Sequence, residues 1–180
     1  MKKPLLFIIA FVFLLLAGFF AYIRYTRSFS PEAVATYDRK ALNIRVSYGR
    51  PAKKERYIFG RQEDKALVPY GKVWRTGANE ATLIDLPQDV IFAGKSVKAG
   101  QYSLWTIPGP GGWKVILNSE TGQWGTEYND GKDIFTAEVP IRIRTGVQQL
   151  FTIYFEEQAV GVNMILSWDQ TEAIVSIRPQ

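Results

Sequence analysis

The densest concentration of reactive and ligand-binding side chains lies between Val68 and Thr82, which read VPYGKVWRTGANEAT. Tyr70, Lys72, Trp74, Arg75, Asn79 and Glu80 fall together there, in a turn-rich segment between strand-like runs. Arg75 could grip an anion through its planar fork, Trp74 or Tyr70 could stack on a sugar, and Asn79 and Glu80 could bind hydroxyls. The same residues admit a structural reading: Arg75 pairs with Glu80, Asn79 supports a turn, and Trp74 belongs to the core. A hydrolase using Glu80 with Arg75 or Lys72 is a third reading, but no nucleophile–base pair can be named, so no residue is assigned as catalytic.

A second polar loop, Gln123 to Asp133, holds Trp124, Glu127, Tyr128, Asn129 and Asp130. Its oxygens suit a hard cation, yet the spacing is not that of an EF-hand, and Asn129-Asp130-Gly131 reads more simply as a turn. The chain has no cysteine and no histidine. That removes disulfides, thiolate chemistry, Ser–His and Cys–His catalysis, and the common transition-metal ligand sets. No nucleotide-binding glycine loop is present, and neither a metal nor a cofactor is expected.

The net charge of +5 is unevenly placed. Lys2, Lys3, Arg24 and Arg27 are the only charges in residues 1–27, while the remainder carries 18 basic and 17 acidic residues. A nucleic-acid partner therefore has no basic surface to support it. Pro4 to Ile23 is an uncharged run of twenty residues, about 30 Å as a helix. With its basic flanks it reads as a transmembrane signal-anchor over residues 1–27, although a cleaved signal peptide is the alternative. The expected location is the bacterial inner membrane, with a single pass and the remainder in the periplasm.

Residues 28–41 read as a polar linker with room for a short helix. From 42 to 180 the hydrophobic period is two: Leu42, Ile44, Val46 and Tyr48 alternate with polar residues up to Gly49-Arg50-Pro51. Further runs follow at Ala81–Leu86, Asp89–Ala93, Tyr102–Ile107, Trp113–Leu117, Asp133–Arg144, Leu150–Phe155, Val160–Trp168 and Ala173–Ile177. Pro108–Gly112 looks like a hairpin tip, and Pro140 marks an edge or bulge. Trp105, Trp113 and Trp168 fall within strand patterns and read as core. The expected class is all-β, an antiparallel β-sandwich of about nine or ten strands behind one N-terminal transmembrane helix.

Several segments resemble the bacterial domain-of-unknown-function family 2911. They are Ser47–Pro51, Ile58-Phe59-Gly60, the block LVPYGKVWRTGANEAT, Ala99–Pro108, Trp113–Asn118, Gln123-Trp124-Gly125 and Leu166-Ser167-Trp168. The resemblance implies an extracytoplasmic β-sandwich with no established activity, and gives the central block weight as a shared site or a shared structural knot. It leaves two functional expectations. One is a non-enzymatic binding module whose ligand-facing set is Tyr48, Arg50, Tyr70, Trp74, Arg75, Asn79, Glu80 and Trp124, suited to a carbohydrate or cell-envelope fragment. The other is an accessory subunit of a membrane complex, with Ala17 and Ala21 allowing close helix approach to other subunits.

Overall fold

Strict alternation sets the first strands. In β2 (Leu42–Gly49) Leu42, Ile44 and Val46 are buried while Asn43 and Arg45 face outward. β2 pairs along its whole length with β1 (Glu32–Arg39), antiparallel, from Glu32 opposite Gly49 to Arg39 opposite Leu42. The computed structural model describes residues 2–39 and 41–180, with backbone only at residues 2–6, 23, 26 and 27. Most of stretch 28–41, expected as a linker, is thus an edge strand. Only Ala35 and Tyr37 of β1 are buried, so its sequence looks polar.

The described residues hold twelve strands, not nine or ten. Beyond β1 and β2 they are β3 (Phe59–Gly60), β4 (Val68–Pro69), β5 (Thr82–Leu86), β6 (Val90–Phe92), β7 (Lys95–Val97), β8 (Gly100–Ile107), β9 (Trp113–Asn118), β10 (Asp133–Val139), β11 (Ile141–Glu157) and β12 (Val162–Pro179). A six-stranded antiparallel sheet runs β1-β2-β5-β8-β9-β10, a four-stranded one β11-β12-β6-β7, and β3 and β4 form a short parallel pair. The run expected as one strand through Asp133–Arg144 divides at Pro140, and the chain passes there from one sheet to the other. Proline has no N–H to give a ladder, so a sheet change suits it. In the opposite sense, the two runs Val160–Trp168 and Ala173–Ile177 merge into the single long β12.

One core joins both sheets. Ring contacts cross between them at Tyr37–Phe155, Tyr48–Phe151 and Phe92–Phe135, with centroids 5.6–5.9 Å apart. Trp105, Trp113 and Trp168 are fully buried, as expected. Each large side chain removed from water contributes about 1.5–3 kcal/mol.

The one α-helix of the described residues, α1 (Lys2–Ser28), precedes the strands and exposes its described apolar side chains. It does not support the expected single-pass anchor. Among the described residues no helix is long and apolar enough to cross a membrane. The inner-membrane localisation is corrected accordingly.

Candidate functional site

The central block folds as a knotted loop between β4 and β5. Trp74 forms a backbone bridge with Thr106 of β8, and its indole N–H donates to Gly77 O at 3.1 Å. The Thr82 hydroxyl donates to Thr76 O at 2.8 Å, and the Thr76 hydroxyl donates to that of Thr106 at 3.1 Å. Thr76 and Asn79 sit in the left-handed region, at φ 52° and 65°. For a β-branched threonine that conformation is strained, and it persists because the surrounding bonds over-determine it. Beneath the loop, Trp74 stacks on Trp168 at 5.8 Å and 16°, and both rings meet Phe151.

The loop also carries Arg75 into a cleft. The Arg75 guanidinium donates to Asn79 O at 3.1 Å, and the same carbonyl accepts the Gly125 N–H at 2.9 Å. Gly125 lies against the arginine so closely that a Cβ there would stand 2.2 Å from Arg75 Cδ. No carboxylate of the described residues forms an ion pair with Arg75. Burial lowers the guanidinium pKa from its usual value, which marks a cation partly stripped of water.

Opposite stands the turn after Pro51. Arg56 N–H donates to Lys53 O at 3.2 Å, and the Arg56 guanidinium bonds the Lys53 and Ala52 carbonyls. Lys54, at φ 51°, points its ammonium over the Phe29 ring at 5.4 Å. Together these walls enclose a cleft of about 340 Å³. Its lining includes Lys54, Arg56, Arg75 and Asn79, with Trp74 and Trp168 at the back, and among the described residues contains no aspartate or glutamate. The Trp168 indole nitrogen is buried without a hydrogen-bond partner, an unmet donor beneath a cationic surface.

The eight residues expected to face a ligand do not converge. Trp74, Arg75 and Asn79 line this cleft. Tyr48 and Glu80 line a different hollow, and Glu80 bridges through its backbone to Trp124, whose indole is exposed outside both. Tyr70 lies in a third and larger hollow, about 690 Å³, beside the Pro108–Gly112 loop. Burial, with Tyr57 adding to it, raises the Tyr70 hydroxyl pKa. Arg50 is structural: its guanidinium donates to Phe151 O at 3.1 Å and Thr152 Oγ1 at 2.8 Å. Tyr48 likewise joins the sheets, its hydroxyl accepting the Ile153 N–H at 2.9 Å.

Two cleft residues went unselected in the sequence, Lys54 and Arg56. The signal was the basic cluster Arg50, Lys53, Lys54 and Arg56 just after β2, broken by one acid, Glu55. In the second polar loop Asn129 caps a single 3-10 turn, Asp130–Lys132, accepting from the Gly131 N–H at 3.1 Å. Asp133 there is held by the Tyr128 hydroxyl at 2.6 Å and the Asn118 amide at 2.8 Å. This is the turn reading of that loop.

The fold and site together define a mostly β domain with two antiparallel sheets and a cation-lined cleft on a strained loop. The family model for a protein of unknown function, DUF2911, matches residues 30–177, and the chain belongs to that family. The match starts just before β1, so the edge strand is part of the family domain. No curated protein and no solved structure matches the chain.

Proposed function

We propose that the domain is a binding module for anionic ligands, received in the cleft between Arg75 and the Lys54–Arg56 turn. The carrying observation is the lining itself: three cationic side chains and no carboxylate, around a partly desolvated arginine. Taking a charge out of water is costly unless an opposite charge or strong acceptors replace the water. Arg75 spends one donor on Asn79 O, which leaves the rest of its fork for a carboxylate or phosphate. The strained Thr76 fits a loop held for binding.

Calorimetric titration of the full chain with small carboxylates and phosphates at fixed ionic strength tests the reading. Binding is expected, weakened by about tenfold or more in Arg56→Gln, since a charge-assisted hydrogen bond contributes ~1.5–3 kcal/mol. Arg56 is exposed, so this variant folds normally. Failure of every small anion to bind overturns the proposal.

A further inference from the structure

Arg75 lines two hollows, one on each side of it. The second, about 330 Å³, shares Leu67, Val68, Trp74 and Arg75 with the first and continues to Lys72, Val73 and Thr126. Among the described residues it too is lined by no aspartate or glutamate. The two hollows share Arg75 and its neighbours Leu67, Val68 and Trp74 as a common wall. Lys54 and Arg56 line the first and Lys72 the second.

Resting on the anion-binding reading above, we infer that the two hollows together receive one ligand, an acidic oligosaccharide, laid across Arg75 so that successive carboxylates meet the Arg56 end, Arg75 and Lys72. Cations alternate here with apolar surface: Leu67 and Val73, both exposed, flank Arg75. A repeat unit with one carboxylate and one C–H ring face matches that alternation. A polyphosphate would leave the apolar walls unused. An extended acidic peptide would need free main-chain donors from the wall it lies on. The extended segment 67–70 of the wall has none to give: Leu67, Val68 and Tyr70 N–H are committed to Tyr57, Ile58 and Gly60 carbonyls, and Pro69 has no N–H. A nucleic acid would need a broad basic field, and the chain beyond residue 27 is nearly balanced in charge. Gly125 keeps Arg75 low and fixed by packing on its side chain.

The test is titration of the full chain with galacturonate and with its dimer, trimer and tetramer at fixed ionic strength. Affinity is expected to rise by about tenfold or more from monomer to trimer, because later units bind at high effective concentration. Lys72→Gln, at an exposed position, should abolish that rise. Equal affinity at all lengths, or a rise that Lys72→Gln leaves intact, overturns the inference while the anion-binding reading stands. If no small anion binds at all, both fall. Tighter binding of polyglutamate or polyphosphate of matched charge overturns the sugar assignment, as does equal binding of an uncharged oligosaccharide.

Discussion

Gly125 and Arg75 are packed so tightly that no side chain fits between them: an ideal Cβ on Gly125 would lie 2.2 Å from Arg75 Cδ and 2.6 Å from Asn79 O. The flexible arginine could move away, but the Asn79 carbonyl is backbone in a left-handed residue and cannot yield cheaply. The contact therefore couples two loops far apart in sequence, and it holds the guanidinium where the cleft needs it.

Gly125→Ala should destabilise the domain by about 1–3 kcal/mol, as overpacking does, and should also weaken anion binding. Urea unfolding followed by tryptophan fluorescence gives the first number, and calorimetry the second. An unchanged unfolding midpoint would show that the two loops are not packed as described.

Tyr48 and Ile153 make the corresponding tie between the sheets. The Tyr48 hydroxyl accepts the Ile153 N–H in buried surroundings. Tyr48→Phe keeps the ring against Phe151 but leaves a buried donor without a partner. The expected loss is ~1–3 kcal/mol, read from urea unfolding, with anion binding unaffected because Tyr48 does not line the cleft. Reduced binding at normal stability would move Tyr48 into the site.

Such ties explain what the sequence made legible. Strict alternation in Leu42–Tyr48 announced β2, and the Gly-Pro run at 108–112 announced the β8–β9 hairpin, because in both the local pattern and the tertiary role agree. β1 was illegible because an edge strand with two buried residues needs little apolar sequence. The separation of Tyr48, Arg50 and Tyr70 from Arg75 was equally hidden. Arg50, Tyr70 and Arg75 lie in loops outside the strands, where no period assigns a face, and only tertiary packing decides which hollow each one lines. Trp168 was correctly read as core, but that it backs the cleft depends on a contact with Trp74 across the whole chain.

Glu172 should govern acid sensitivity. Burial pushes its carboxyl pKa up, yet hydrogen bonds from Arg142 and Tyr154, the Arg142 charge and the Ser167 hydroxyl bring it below the usual 4.5. A carboxyl with a depressed folded pKa contributes stability that is fully present above the unfolded value and is lost as pH falls through the folded one. Thermal midpoints should therefore decline below pH 4.5 in the native protein, and more shallowly in Glu172→Gln. Tyr154, on the same carboxylate, is pushed up to about 12 by burial first and then by Glu172. Its phenol should titrate late in ultraviolet absorbance at alkaline pH, and earlier in Glu172→Gln. Parallel acid profiles for the two proteins would remove Glu172 from this role.

Arg75 separates the binding reading from a purely structural knot. If the loop were built for stability alone, its arginine would be a net contributor, and Arg75→Gln would unfold several degrees earlier. The environment argues otherwise: a partly desolvated cation with one carbonyl acceptor and no carboxylate is an expense to the unliganded fold. Glutamine can still donate to Asn79 O while removing the charge. The melting temperature of Arg75→Gln without ligand should accordingly match the native protein within about 2 °C or exceed it, a span that corresponds to about 0.5–1 kcal/mol for a domain of this size. Anion affinity should meanwhile fall by at least about tenfold. Stability retained while binding is lost is the expected trade at a site where strain and charge are kept for function. Scanning calorimetry with and without a saturating carboxylate reads both quantities in one experiment, and a large drop in melting temperature without ligand would assign Arg75 to the knot instead.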